Sequence, residues 1–193
     1  MSGLILRLPW WLHLLMAVLL YGTMLYTAWQ FLYPQAETRK SRGGLLNVIV
    51  AFILLGSGAL VAGLKAGKMY NTFPLMNGSY FPPGVELQAS FLSNLIDNPA
   101  IVQFTHRNIA YLLGILIAVQ LYIRRSEMRA ANFKHPLVLF FAVYLLQVLL
   151  GVLTLLNAVP VSLGALHQAN AMLLFSAALW LLFKDRAVPM HER

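Results

Sequence analysis

The chain has 193 residues, 60% hydrophobic and 10% charged, with a net charge of +8 at pH 7 and a mean hydropathy of +0.71. Soluble domains carry about 25% charged residues, so an aqueous domain of useful size is excluded. The basic residues fall in short clusters between apolar runs, which fits membrane topology rather than a nucleic-acid-binding face. Cysteine is absent, which excludes thiolate metal sites, iron–sulfur clusters and disulfides.

Residues 8–36 form an apolar run with no charge, longer than a signal-peptide core and lacking a small-residue cleavage site, and read as a permanent span. A bilayer core takes about 20 apolar residues per helix. That length predicts five spans, over residues 9–33, 45–64, 99–123, 136–159 and 162–183. Pro9 suits the first turn of the first span, Asn98-Pro99 is an N-cap with proline at N1, and Ser162 is the expected cap of the fifth. Span two carries a small-residue stripe, Gly56, Ala59, Gly63 and Gly67, and Gln147 shares a face with Gly151 on span four. The connection over residues 65–98 holds Pro74, Gly78, Pro82, Pro83 and Gly84, too many breakers for a long helix. Asn77-Gly78-Ser79 matches a glycosylation sequon, a weak signal.

Orientation follows from Lys and Arg. Arg39, Lys40, Arg42, Arg124, Arg125, Arg129, Lys134, Lys184, Arg186 and Arg193 lie on one side of the membrane; Arg7, Lys65, Lys68 and Arg107 lie on the other. The first side is expected to be cytoplasmic, or the mitochondrial matrix, with the N-terminus outside and the C-terminus inside.

Spans one, three and five then run in the same direction, and each carries a histidine near its outer end: His13, His106 and His167. A lone histidine in a membrane helix is ordinarily a polar bridge between helices. Three at matched depth instead suggest axial ligation of a heme iron, which needs two neutral imidazoles on different helices and an apolar slot. Zinc usually takes three or four ligands with carboxylate or thiolate help, and no acid lies inside any predicted span. Arg107 either meets a heme propionate or anchors the interface. His135, before Pro136, and His191, in the tail, read as interfacial or solvated.

Spans one and five repeat one pattern. Leu12-His13, Ala17, Leu19, Leu20, Tyr21, Gly22, Leu25 and Tyr26 align with Leu166-His167, Ala171, Leu173, Leu174, Phe175, Ser176, Leu179 and Trp180. The fold expected is all-α, a polytopic bundle of five helices. Residues 1–42 would be a single helix and loop ending an earlier unit, 43–186 a four-helix heme unit, and 187–193 a tail.

Between residues 45 and 183 the motifs occur in a specific order. They are Gly58-Ala59-Leu60-Val61-Ala62-Gly63-Leu64 with Ala66-Gly67, then Tyr70-Asn71-Thr72-Phe73-Pro74-Leu75-Met76 with Gly78. Asn98-Pro99, Val102-Gln103-Phe104 and His106-Arg107 follow. Gln147-Val148, Leu150-Gly151, Thr154-Leu155-Leu156, Val159-Pro160 and His167-Gln168 complete the series. In these the chain resembles the heme A synthase family of CtaA-type cytochrome oxidase assembly proteins. The resemblance implies eight helices in two four-helix halves, with heme b in the C-terminal half ligated by His106 and His167, and Arg107 among the cofactor-binding residues. It implies that the N-terminal half binds heme O as substrate and oxidises its C8 methyl to formyl through two hydroxylations and loss of water. His13 resembles the second histidine of that half, a ligand for the substrate heme iron. The family's other histidine and its acidic residue lie on earlier helices outside this sequence, so no catalytic residue is assigned here. Partners expected are the missing half or a second copy, and heme O synthase or other oxidase assembly factors; nucleic acid is not expected. The location implied is the bacterial inner membrane, or the mitochondrial inner membrane in a eukaryote. The alternatives are a non-catalytic b-type cytochrome module for electron transfer or oxidase assembly, and a cofactor-free transporter or packing subunit.

Overall fold

A computed structural model describes residues 10–34, 37–38, 40–88, 90–131 and 135–188. Arg7, Pro9, Arg39, Lys134, His191 and Arg193, invoked above for topology, helix start and interface, lie outside the described residues. The chain is helical: α1 (Trp10–Leu32), α2 (Arg42–Gly63), a 3-10 turn (Ala66–Lys68), α3 (Phe91–Asp97), α4 (Pro99–Ile123), α5 (Arg125–Ala130), α6 (Pro136–Leu156) and α7 (Val161–Arg186). Five helices, α1, α2, α4, α6 and α7, are long and apolar enough to cross a membrane. A two-residue antiparallel pairing, Glu37–Thr38 with Ala187–Val188, ties the end of α7 to the connection after α1.

The helix boundaries follow from local chemistry. Asn98 caps α4, accepting from the backbone N–H of Ala100 at 3.2 Å, with Pro99 in the first turn. Helix α2 begins three residues before the predicted span because Ser41 caps it, accepting from Gly44 N–H at 3.1 Å. Helix α6 ends at Leu156, three residues short of expectation. Ala158 and Val159 take φ values of 56° and 61°, and Val159 N–H donates to Thr154 O at 2.8 Å, closing the helix before Pro160. Helix α7 starts at Val161 with no side-chain cap, so Ser162 lies within its first turn and does not cap it. Gly67 sits in the 3-10 turn, off the helical stripe of α2, where it packs against Val159.

One expectation about charge is corrected. Helix α7 runs on to Arg186 and so contains Asp185, 7% exposed. A buried carboxylate is tolerable only when paired. Arg124 Nη2 donates to it at 2.9 Å and Ser41 Oγ at 3.1 Å, joining α2, α4 and α7 at one end of the bundle. Close by, Asn47 and Gln120 exchange two amide hydrogen bonds of 3.0 and 2.9 Å between α2 and α4.

The core lies among α2, α4, α6 and α7, with Leu54, Leu113, Ile117, Phe140, Leu174, Ala178 and Leu181 buried at its centre. Helix α1 packs against α2 and α7 and adds Val18 to the edge of this core. Its seam with α7 is reciprocal in the repeat alignment. Tyr21 Oη lies 2.7 Å from Ser176 Oγ, while Gly22, the counterpart of Ser176, abuts Phe175, the counterpart of Tyr21. Trp29 packs edge-on to Trp180 and Tyr26 edge-on to Phe183, again each other's mates. Reciprocity of this kind is the mark of an isologous, twofold-related interface, and it relates His13 to His167.

The connection between α2 and α4 folds over one end of the bundle without a long helix, as its breakers predict. Asn77-Gly78 forms a tight turn with positive φ at both residues (49° and 85°) between the bridged Met76 and Ser79. Met76 and Tyr70 pack beneath it on Ala100.

Candidate functional site

Asn98-Pro99 sets the start of α4 and places His106 two turns inside, at the end of the bundle opposite Asp185. His167 sits at the same end of α7. Both histidines line two adjoining cavities. One, of about 160 Å³, faces α4 and α6 and is lined also by Gln103, Arg107, Tyr111 and Tyr144. The other, of about 490 Å³, runs between α2 and α7 past Gly58, Ala59, Ala62, Gly164 and Ala165 to Leu14 of α1. Its volume is within the range of cofactor sites, roughly 300–1,000 Å³.

Each imidazole is seated on a glycine of a neighbouring helix. A Cβ on Gly58 would lie 3.2 Å from Cε1 of His106, and one on Gly151 would lie 2.9 Å from Cε1 of His167. On α2, next to the first glycine, Ser57 Oγ donates to Leu54 O at 2.9 Å and lies 2.8 Å from His106 Nδ1. On α6, Gln147 shares the face of Gly151, as its spacing predicts. Asn170 Nδ2 donates to Gln147 Oε1 at 2.8 Å, which turns the Gln147 amide nitrogen towards His167 Nε2 at 3.3 Å. Three residues of the smaller cavity keep a buried polar atom with no hydrogen-bond partner among the described residues: Gln103 Oε1, Tyr111 Oη and His167 Nδ1. Groups of this kind are costly unless something satisfies them.

Arg107 lines the same cavity, and its guanidinium is engaged by the covering loop. Nη1 donates to Thr72 O at 3.0 Å and Nη2 to Tyr70 O at 2.9 Å, and Gln103 Nε2 also donates to Tyr70 O at 3.0 Å. This side chain thus fastens the loop over the histidine end. His13 is exposed on α1 and lines neither cavity. His135 is the N-cap of α6, its Nδ1 accepting from Leu137 N–H at 3.1 Å, with Nε2 3.8 Å from Glu127. The sequence reading placed it at the interface and missed this capping role. Among the described residues no cluster of three or more His, Cys, Asp and Glu could hold a metal ion. The arrangement offers two imidazoles and an apolar slot, a donor set for an iron that brings its own equatorial ligands, and unsuited to zinc.

A family model for COX15-CtaA, cytochrome oxidase assembly protein, matches residues 5–179. The chain belongs to this family. The heme A synthase of Nitrosospira multiformis is 39% identical over 175 residues, 87% of this chain and 49% of that protein. The heme A synthase of Bartonella tribocorum is 43% identical over 136 residues, 69% of this chain and 38% of the relative. Heme A synthase COX15 of Mus musculus is 36% identical over 186 residues, 92% and 45%. This family member spans about half the length of the curated relatives it matches. No solved structure matches it.

Ser57, Tyr111, Tyr144 and Asn170 are site residues that sequence reasoning did not single out. Gly58 stands in the quoted motif, but only the approach of His106 reveals why it has no side chain.

Proposed function

We propose that His106 and His167 would hold the iron of a heme b within residues 43–186, and that the chain serves heme A formation for cytochrome oxidase. The observation that carries this is the pairing itself: two histidines of different helices line the same cavities, each on a glycine seat. The fit is supported by the partnerless His167 Nδ1 and by the two-nitrogen donor set. When bound, such a heme supplies one-electron chemistry poised by its axial ligands. The chain's own part is to hold and shield it. Gly58 and Gly151 admit the imidazoles, small residues of α2 and α7 leave a flat slot, and Gln147 orients His167. Arg107 keeps the loop over the mouth and places a positive charge beside the cavity, favouring a ligand edge that bears carboxylates.

The substrate in this reading is heme O, oxidised at its C8 methyl to formyl; the relatives are named heme A synthases. His13, the symmetry counterpart of His167, belongs to a second heme site whose other ligand comes from outside the described helices. The histidine end faces outward by the distribution of Lys and Arg, in a bacterial inner or mitochondrial inner membrane. A second reading, a b-type cytochrome that only passes electrons, is favoured by there being one complete histidine pair among the described residues.

The test is a reduced-minus-oxidised spectrum of the purified full chain. A low-spin heme b band lost in both His106→Ala and His167→Ala supports the ligand assignment, and a band that survives either change refutes it. Extraction of pigments after supplying heme O then separates the readings, since formation of heme A requires the synthase.

A further inference from the structure

The hydroxyl of Ser57 has one proton and touches two groups. Leu54 O, at 2.9 Å, can only accept, so that contact is a hydrogen bond when the Ser57 proton points to it. This is the ordinary back-bond of a serine inside a helix. The second contact, 2.8 Å to His106 Nδ1, then requires the imidazole to be the donor. A neutral imidazole with its proton on Nδ1 has its lone pair on Nε2. The seat on Gly58 lets Cε1 approach α2 closely enough for this bond to form.

We infer that Ser57 is a positioning residue that holds His106 in the Nδ1–H tautomer and presents Nε2 to the iron. The inference rests on the heme reading for its purpose, but the tautomer stands on the hydrogen bonding around His106, with Ser57 Oγ at 2.8 Å and the Leu54 carbonyl close by. At His167 no hydroxyl meets Nδ1; there the Gln147 amide nitrogen stands beside Nε2 at 3.3 Å. The two imidazoles are therefore held differently, His106 through a hydroxyl at Nδ1 and His167 through the Gln147 amide at Nε2.

A ring nitrogen that donates to an acceptor makes its imidazole a stronger ligand and favours the oxidised metal. Loss of such a partner costs roughly 10- to 100-fold in metal affinity. The experiment uses the full chain in detergent, titrated with hemin, as wild type, Ser57→Ala and Ser57→Thr. Alanine is a better helix former than serine, so the fold is retained. Expected for Ser57→Ala is hemin binding weakened by about tenfold or more, with an upward shift of the heme potential. Ser57→Thr, which keeps the hydroxyl, restores both. A second measurement needs no heme: ¹⁵N-histidine spectra of the heme-free chain, with the His106 signal identified by its absence in His106→Asn. Wild type should show the Nδ1–H tautomer, and Ser57→Ala a mixture. An unchanged tautomer, or unchanged affinity and potential in Ser57→Ala, overturns the role of Ser57. Failure of the wild type to take up hemin would instead overturn the heme reading, leaving the tautomer measurement to judge Ser57.

Discussion

Trp29 of α1 and Phe183 of α7 lie with ring centroids 6.0 Å apart, and they are equivalent positions of the internal repeat. A residue that meets its own counterpart sits on the local twofold axis. The flanking pairs, Trp29–Trp180 and Tyr26–Phe183, exchange places across it. The duplication read from the sequence thus has a physical seam. By that symmetry His13 is to the outer face of α1 what His167 is to the cavities.

The seam is closed by Gly22, where a Cβ would stand 3.0 Å from Phe175 Cε1 and 3.4 Å from Leu179 Cδ1. Replacing Gly22 by Leu should destabilise the chain by about 1–3 kcal/mol through overpacking. Thermal unfolding in detergent measures it, and Phe175→Ala in the same chain should recover part of the loss by making room. A Gly22→Leu chain as stable as wild type would show that α1 is not packed on α7 as described.

The glycine seat of His167 is tighter still. Gly151→Val should push the ring off its position and weaken hemin binding by roughly tenfold or more, comparable to losing a ligand-orienting partner. Gly43, at the far end of α2, where a Cβ would meet only Gln120 Oε1 at 3.4 Å, is the control: Gly43→Ala should bind hemin like wild type. Soret titration of the two variants gives the comparison.

At the other end, Asp185 is 7% exposed and the side chain of Arg124 20%, so their 2.9 Å pair is shielded from solvent. Asp185→Leu strands the guanidinium, a change that costs about 3–5 kcal/mol in buried pairs. The lower end of that range applies, because Arg124 keeps Glu127 at 3.5 Å. Removing both charges, with Arg124→Met added, should return most of the stability. A denaturant series on the single and double variants measures this, and additivity of the two changes would contradict the pairing.

His135 makes stability depend on pH. Burial lowers its pKa below the ordinary imidazole value and nearby Arg124 lowers it further, against the opposing pull of Asp185 and Glu127. The folded state therefore prefers the neutral ring, whose Nδ1 caps α6. Its contribution is complete above the unfolded value of about 6.5. It is lost as pH falls below that, through the lower folded value. His135→Asn keeps a cap that does not titrate and should flatten the melting temperature between pH 7 and 5. A wild-type melting temperature independent of pH over that range would remove His135 from the account.

Much of this was legible before any coordinates. Asn98-Pro99 marked the start of α4 to the residue, which set the depth of His106, and the repeat placed His13 and His167. The misses share a cause: pairwise chemistry between distant residues leaves no local trace. The fifth span is expected to end at Phe183, before Lys184; only Arg124 and Ser41, from two other helices, explain why Asp185 is buried within α7. Ser57 looked like any helix serine, and its second contact is with a residue 49 positions away. Val159 was assigned to its helix because its apolar character matches the span, whereas the approaching Pro160 and the left-handed turn decided otherwise.

The ion pair of Asp185 also works as a depth gauge. It cannot enter hydrocarbon without heavy cost, so it pins one end of the bundle to the headgroup layer. His167 lies 18 residues earlier on α7, about 27 Å away at the helical rise. That is nearly the whole thickness of a bilayer core. In the heme reading proposed above, charge carriers docking on the Asp185 side would face that full span of insulation, which would confine redox exchange with the histidine pair to the opposite surface or to neighbours within the membrane.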